Sequence, residues 1–262
     1  MKALAFCRIL VLPFLLWGCR PGPAPEALAA LPQGCTTPGT IVSADLPQPA
    51  RGYPYSYRVY LPPCYSSDGG SRYPVLYLVP GRNGAPDSWF AAGLTEVVDG
   101  TILAGEILPF LIVTTENIQS DPLADTIYGE LIPHIEEGYP ILNDRRYRAV
   151  AGGSLGGIAA YRLAFQYPDT FSSAAIFGAG AISGEETRIH EWLAAMNDEN
   201  RVRVFMDAGD EDIFMLDSAQ VMKSILDEAG VENQLHSGHG GHNYAYWVGN
   251  FEMYLKWMAR DW

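Results

Sequence analysis

The sequence predicts an α/β architecture with a mostly parallel central sheet and helices on both faces, and three observations predict it. Continuously apolar runs, typical of central strands, alternate with helical segments of ten or more residues. One run breaks into glycines around a serine and then continues as a helix. A chain of 262 residues with 48% hydrophobic and 18% charged content buries a core that suits one such domain better than two.

The elements follow in chain order. Tyr55–Leu61 alternates in the manner of a strand with one face buried, and Pro62-Pro63 ends it. Val75–Val79 is a continuous apolar run of central-strand type, 110–114 is a second run of this kind ending at Thr114, and the helical spacing of 94–104 between them makes a crossover joining parallel strands. A helix over 127–137 precedes a strand at 147–151. Residues 158–165 read as a helix that Pro168 stops. Ser173–Phe177 and 201–206 are the next strands, with helices at 185–196, 218–229 and 244–258.

The serine run is Arg148-Ala149-Val150-Ala151-Gly152-Gly153-Ser154-Leu155-Gly156-Gly157. Gly152, Ser154 and Gly156 fill a G-x-S-x-G nucleophile elbow, in which the serine takes a strained turn and hydrogen side chains let strand and helix approach. A glycine-rich loop without chemistry has the same residues. The strand before and the helix after favour the elbow, and with it the α/β-hydrolase class of fold.

A serine hydroxyl is a weak nucleophile at neutral pH and needs a base, held in the right tautomer by a carboxylate. In this class the chain order is serine, acid, histidine. The strand at 201–206 runs into Asp207-Ala208-Gly209-Asp210-Glu211-Asp212. Asp210 and Asp212 compete for the acid role; Asp212 is preferred because it directly precedes Ile213-Phe214, and Asp207 belongs to the strand end. Clustered carboxylates also serve as helix caps or solvated loops.

Of five histidines, His134 and His190 fall within expected helices. His236, His239 and His242 share a glycine-rich loop before the last helix, and His242 is the expected base because the helix start fixes its backbone. A metal site built from these three is the competing reading, with a spacing that fits no structural zinc pattern. The oxyanion is expected at the backbone N–H groups of Leu155, after the serine, and Arg82, in the loop Pro80-Gly81-Arg82-Asn83-Gly84. Trp89, Tyr246 and Trp247 are candidates for an acyl pocket, although aromatics at such spacings are more often core.

The first eighteen residues read as a signal peptide, with Lys2 and Arg8 ahead of an apolar run at 9–17 too short to span a bilayer. Leu16-Trp17-Gly18-Cys19 resembles a bacterial lipobox, which implies lipidation of Cys19; plain secretion after another cleavage is the alternative. Residues 19–34, rich in Pro and Ala, read as a tether, and 35–262 as the domain. Cys35 and Cys64 are then the cysteines left inside an exported domain, and a disulfide between them is expected. A formal charge of −13 disfavours nucleic acid and anionic membrane surfaces, so the membrane is reached only through a lipid anchor.

The segments at 58–63, 73–78, 128–133, 151–157 and 167–171, together with Gly240-Gly241-His242, resemble the bacterial putative-esterase family. That family takes in esterase D, feruloyl and acetylxylan esterases, siderophore esterases and mycolyltransferases. The resemblance runs from about Gly39 to the C-terminus. It implies that the acid stands three positions after a strand-ending glycine, which is Asp212, and that the donor after the oxyanion-loop glycine is Arg82. Relatives commonly have His-Gly where this chain has Pro80-Gly81, and Arg82 is a large, charged residue for that place. The implied activity is hydrolysis of a carboxylic ester by a Ser154–His242–Asp212 triad through an acyl-enzyme. The substrate is expected to be a small-molecule or carbohydrate-linked ester of feruloyl, acetyl or siderophore type, with no cofactor required. An acyltransferase and a catalytically silent binding module are the alternatives.

Overall fold

The computed structural model describes residues 27–46, 54–68, 70–117 and 123–262. The expected signal peptide, the lipobox and Cys19 lie outside the described residues. The described chain holds ten strands and nine α-helices, which alternate from the strand Arg148–Gly153 to the strand Asn233–His236. They are β1 (Ala27–Leu28), β2 (Thr40–Leu46), β3 (Tyr55–Leu61), β4 (Ser71–Arg72), β5 (Val75–Val79), α1 (Ser88–Ala91), α2 (Leu94–Leu103), β6 (Leu111–Thr115), α3 (Leu123–Thr126) and α4 (Ile132–Gly138). Then come β7 (Arg148–Gly153), α5 (Leu155–Gln166), β8 (Ser173–Phe177), α6 (Glu186–Ala195), β9 (Arg203–Asp207), α7 (Ile213–Glu228), β10 (Asn233–His236), α8 (Tyr244–Gly249) and α9 (Phe251–Met258).

Eight strands form the central sheet in the order β10-β9-β8-β7-β5-β6-β3-β2. Pairing is parallel from β10 through β6 and antiparallel at β6–β3 and β3–β2. Side chains alternate across the sheet, so each face has its own core. Tyr77, Val150, Ile176 and Met206 pack with Tyr161 of α5 and Met222 of α7. Leu76, Leu78, Ala151, Phe177 and Phe205 pack with Val98 of α2 and Tyr254 of α9. This is the mostly parallel sheet, covered on both faces, that the apolar runs predict.

Differences from expectation have local causes. β2 is an edge strand whose side chains mostly face solvent, so its sequence lacks the burial pattern of a strand. The helix expected at 127–137 begins at Leu123 and passes through a π-helical turn, Ile127–Leu131. α7 starts directly after Asp212 instead of at 218. The last helix divides at Asn250 into α8 and α9. Part of the expected tether rests on the domain: β1 pairs with β4, and Ala29 is buried after donating its N–H to the Arg72 carbonyl at 2.8 Å.

Cys35 and Cys64 form a disulfide with Cα atoms 6.0 Å apart. Because β3 runs antiparallel to β6, with Tyr60 opposite Ile112, Cys64 follows the end of β3 that lies beside the amino end of β6. The bridge therefore sits away from the carboxyl ends of the parallel strands, where ligands of open α/β sheets bind.

Candidate active site

The register aligns Gly153 with Phe177, Phe177 with Asp207, and Asp207 with His236, so these strands end together. Ser154 follows β7 and caps α5 with φ of +56° and ψ of −124°, a sparsely populated conformation for a residue with a side chain. The turn is held by its N–H, which donates to the Phe177 carbonyl at 2.8 Å. It also needs close approach: a Cβ on Gly156 would stand 2.2 Å from the Val79 carbonyl oxygen. Leu155 is the first residue of α5, so its N–H belongs to the first helical turn, where no intrahelical acceptor exists.

Asp212 caps α7 with its backbone carbonyl, which accepts from the N–H groups of Met215 and Leu216 at 3.0 and 2.9 Å. Its carboxylate makes no cap bond and turns to the histidine loop instead. There Oδ2 lies 2.6 Å from His242 Nδ1, with 12% of the Asp212 side chain and 38% of the His242 side chain exposed. Asn243 fixes the backbone beyond His242 by accepting the Tyr246 N–H at 2.9 Å. The imidazole packs edge-on against Trp247, with ring centroids 5.2 Å apart, and lies over Gly178. Gly178 follows Phe177, whose carbonyl holds Ser154, so serine and histidine share one wall of the site. Among the described residues the Ser154 hydroxyl makes no hydrogen bond. Such contacts commonly tighten only when substrate is bound.

The three loop histidines do not share a centre. His236 Nδ1 meets Asp207 Oδ2 at 2.8 Å, and His239 Nδ1 meets Asp210 Oδ1 at 3.2 Å, in parallel with the His242 pair. Among the described residues no group of three or more His, Cys, Asp or Glu is placed to hold a metal ion. Asp210 instead stitches the loops together, accepting the Gly240 N–H at 3.1 Å and donating its own to the Gly238 carbonyl at 2.9 Å. Asp207 is fully buried and accepts from the Tyr246 and Tyr254 hydroxyls at 2.6 and 2.7 Å. Burial first, and the Asp207 carboxylate with it, raise both phenol pKa values, which keeps these groups protonated as donors.

His134 lies in α4 and meets the Tyr57 hydroxyl at 2.9 Å, while His190 lies in α6. Of the acyl-pocket candidates, Trp89 is corrected: it is fully buried among Phe177, Tyr244, Trp247 and Phe251 and presents no surface to a ligand. Trp247 is 3% exposed and backs His242 from below. Tyr246 supports the histidine loop, its hydroxyl accepting the Gly238 N–H at 3.0 Å.

The loop 80–84, where the oxyanion donor Arg82 is expected, lies beside the serine, since a Cβ on Gly81 would touch the Ser154 Cβ at 3.5 Å. Two residues absent from the sequence reading meet this loop. Tyr244 accepts the Gly81 N–H at 3.0 Å, and Asn117 donates its side-chain amide to the Pro80 carbonyl at 2.8 Å. Their positions, two residues past His242 and just past the end of β6, are the only traces they leave in the sequence.

A model of the family described as "Putative esterase" matches residues 50–258. The chain is 27% identical over 166 residues to an endo-1,4-beta-xylanase/feruloyl esterase of Xylanibacter ruminicola, covering 57% of this chain and 23% of that protein. It is 28% identical over 189 residues to the iron(III) salmochelin esterase of Escherichia coli, covering 62% of this chain and 46% of that one. The chain thus spans less than half the length of each of these two curated relatives. Among solved structures, a ferulic acid esterase superposes with a TM-score of 0.76 at 25% identity, covering 86% of this chain and 100% of its own.

Proposed function

The chain belongs to the putative esterase family, and from that premise we propose that it is a serine carboxylic-ester hydrolase working through an acyl-enzyme. In this reading Ser154 Oγ attacks the ester carbonyl carbon while His242 Nε2 takes the hydroxyl proton. Asp212 accepts from Nδ1–H, fixes the tautomer and stabilises the imidazolium. The carbonyl oxygen becomes an oxyanion facing the N–H groups of Leu155 and Arg82, whose preorganisation lowers the barrier. Collapse of the tetrahedral intermediate breaks the bond to the alcohol, which leaves with the proton held by His242. Water then attacks the acyl-enzyme with His242 as base, and the acid and Ser154 are released.

The observation that carries this reading is the 2.6 Å contact of His242 with Asp212, made over Gly178 at the end of the strand that holds Ser154. We place the substrate among feruloyl, acetyl and siderophore-type esters, following the feruloyl and salmochelin esterases to which the chain is similar. Export by the segment 1–18, with a lipid on Cys19, belongs to the same proposal, and the Cys35–Cys64 bridge suits an oxidising compartment. A fluorophosphonate probe tests the nucleophile: it labels the wild type and leaves Ser154→Ala unlabelled. Equal labelling of both proteins places the nucleophile elsewhere.

A further inference from the structure

We propose that Asn117 and Tyr244 together clamp the Pro80–Gly81 peptide and thereby hold the Arg82 N–H at the oxyanion position. The inference rests on the esterase reading and assigns both side chains as positioning residues.

The geometry is a peptide unit gripped at both polar ends. The Pro80 carbonyl accepts from Asn117 Nδ2 at 2.8 Å, and the Gly81 N–H donates to Tyr244 Oη at 3.0 Å. One residue on, the Gly84 N–H donates to the Gly81 carbonyl at 2.9 Å and closes a four-residue turn. Asn83 takes the third place of that turn with φ of +52°, a conformation asparagine tolerates better than most residues. Arg82 occupies the second place, where a β-turn leaves the N–H outside its own hydrogen bond. The Asn117 backbone N–H donates to the Gly84 carbonyl at 3.0 Å, so Asn117 holds both ends of the loop.

Neither clamp is free to drift. Asn117 is 4% exposed. The Tyr244 ring stands edge-on to Trp89 and Trp247, with centroids 4.9 and 5.3 Å away. Trp89, sealed in the core, therefore acts at a distance by fixing the ring whose hydroxyl reaches the loop. The clamped peptide also lies next to Ser154, because a Cβ added to Gly81 would stand 3.5 Å from the Ser154 Cβ and 3.8 Å from Tyr244 Oη. Tyr244 stands two residues from His242, so one chain segment places the base and steadies the oxyanion loop. Donors that are already aimed need no reorganisation when charge develops, and small displacements of such groups are costly.

The test is Tyr244→Phe, which keeps the ring and removes the hydroxyl, with Asn117→Ala as the second variant. On p-nitrophenyl acetate we expect kcat to fall about ten- to a hundredfold with little change in KM. A trifluoromethyl ketone adds the Ser154 oxygen reversibly and turns its own carbonyl oxygen into the oxyanion. Its inhibition constant should rise by the same factor as kcat/KM falls, whereas binding of a carboxylate product stays unchanged. A purely structural role would lower the melting temperature without that proportionality.

Should Tyr244→Phe fail to fold, Asn117→Ala reads the same clamp from its other end. A cooperatively melting variant with unchanged kcat and unchanged inhibition overturns the clamp while wild-type activity upholds the esterase reading. A wild type that hydrolyses no ester and takes no fluorophosphonate overturns both.

Discussion

His242 Nδ1 meets Asp212 Oδ2 at 2.6 Å because Asp212 caps α7 with its backbone carbonyl and leaves its carboxylate for the histidine. Asp210, two residues earlier, spends its carboxylate on His239 and the Gly240 N–H. The two aspartates therefore serve different partners, and the proposed triad assigns the acid role to Asp212. Asp212→Asn should lower kcat by about four orders of magnitude, by favouring the wrong imidazole tautomer. Asp210→Asn should leave kcat near the wild-type value. Steady-state kinetics of the two variants on one ester decides the assignment, and a larger loss in Asp210→Asn would reverse it.

Gly178 sets the height of the histidine above the sheet. Its φ is +53°, and an added Cβ would stand 2.9 Å from His242 Nδ1 and 2.8 Å from Trp247 Cζ2. Gly178→Ala should displace the imidazole and lower kcat by about a hundredfold or more. Kinetics together with a thermal melt checks this, and a variant with wild-type kcat would show that His242 does not depend on this floor.

Asp207 is the structural member of the acidic strand end. It is fully buried and accepts from His236, Tyr246 and Tyr254, so truncation strips partners from buried hydroxyls. Asp207→Ala should cost about 3–5 kcal/mol of stability, read from urea unfolding. Tyr254→Phe, which removes one of the three donors, should cost less.

The Cys35–Cys64 bridge closes a sequence separation of 29 residues and lies away from the strand ends that carry Ser154. Replacing both cysteines by serine should remove about 3–4 kcal/mol of stability. kcat measured below the transition should not change. A loss of activity in a folded variant would show that the bridge reaches the site.

What the sequence made legible follows from where each residue's partner lies. The central strands and the serine turn are written locally, because burial on both faces demands continuous apolar runs and a tight elbow demands glycine. β2 was illegible for the converse reason: its exposed edge imposes no pattern on Thr40–Leu46. Trp89 and Trp247 carry the right chemistry for a pocket wall, but residue type does not tell the wetted side of a wall from its buried side. Asn117 and Tyr244 escape notice because each bonds a backbone peptide that only the folded chain brings near. No spacing encodes that meeting.

The proposed hydrolase stands or falls with Ser154 as its nucleophile. Its most direct test is hydrolysis of p-nitrophenyl acetate, p-nitrophenyl butyrate and a feruloyl ester by the wild type and by Ser154→Ala. We predict turnover by the wild type and loss of all but background hydrolysis in the variant, with the ratio among the esters ranking the acyl group. Equal turnover by both proteins, or none by a folded wild type, would contradict it.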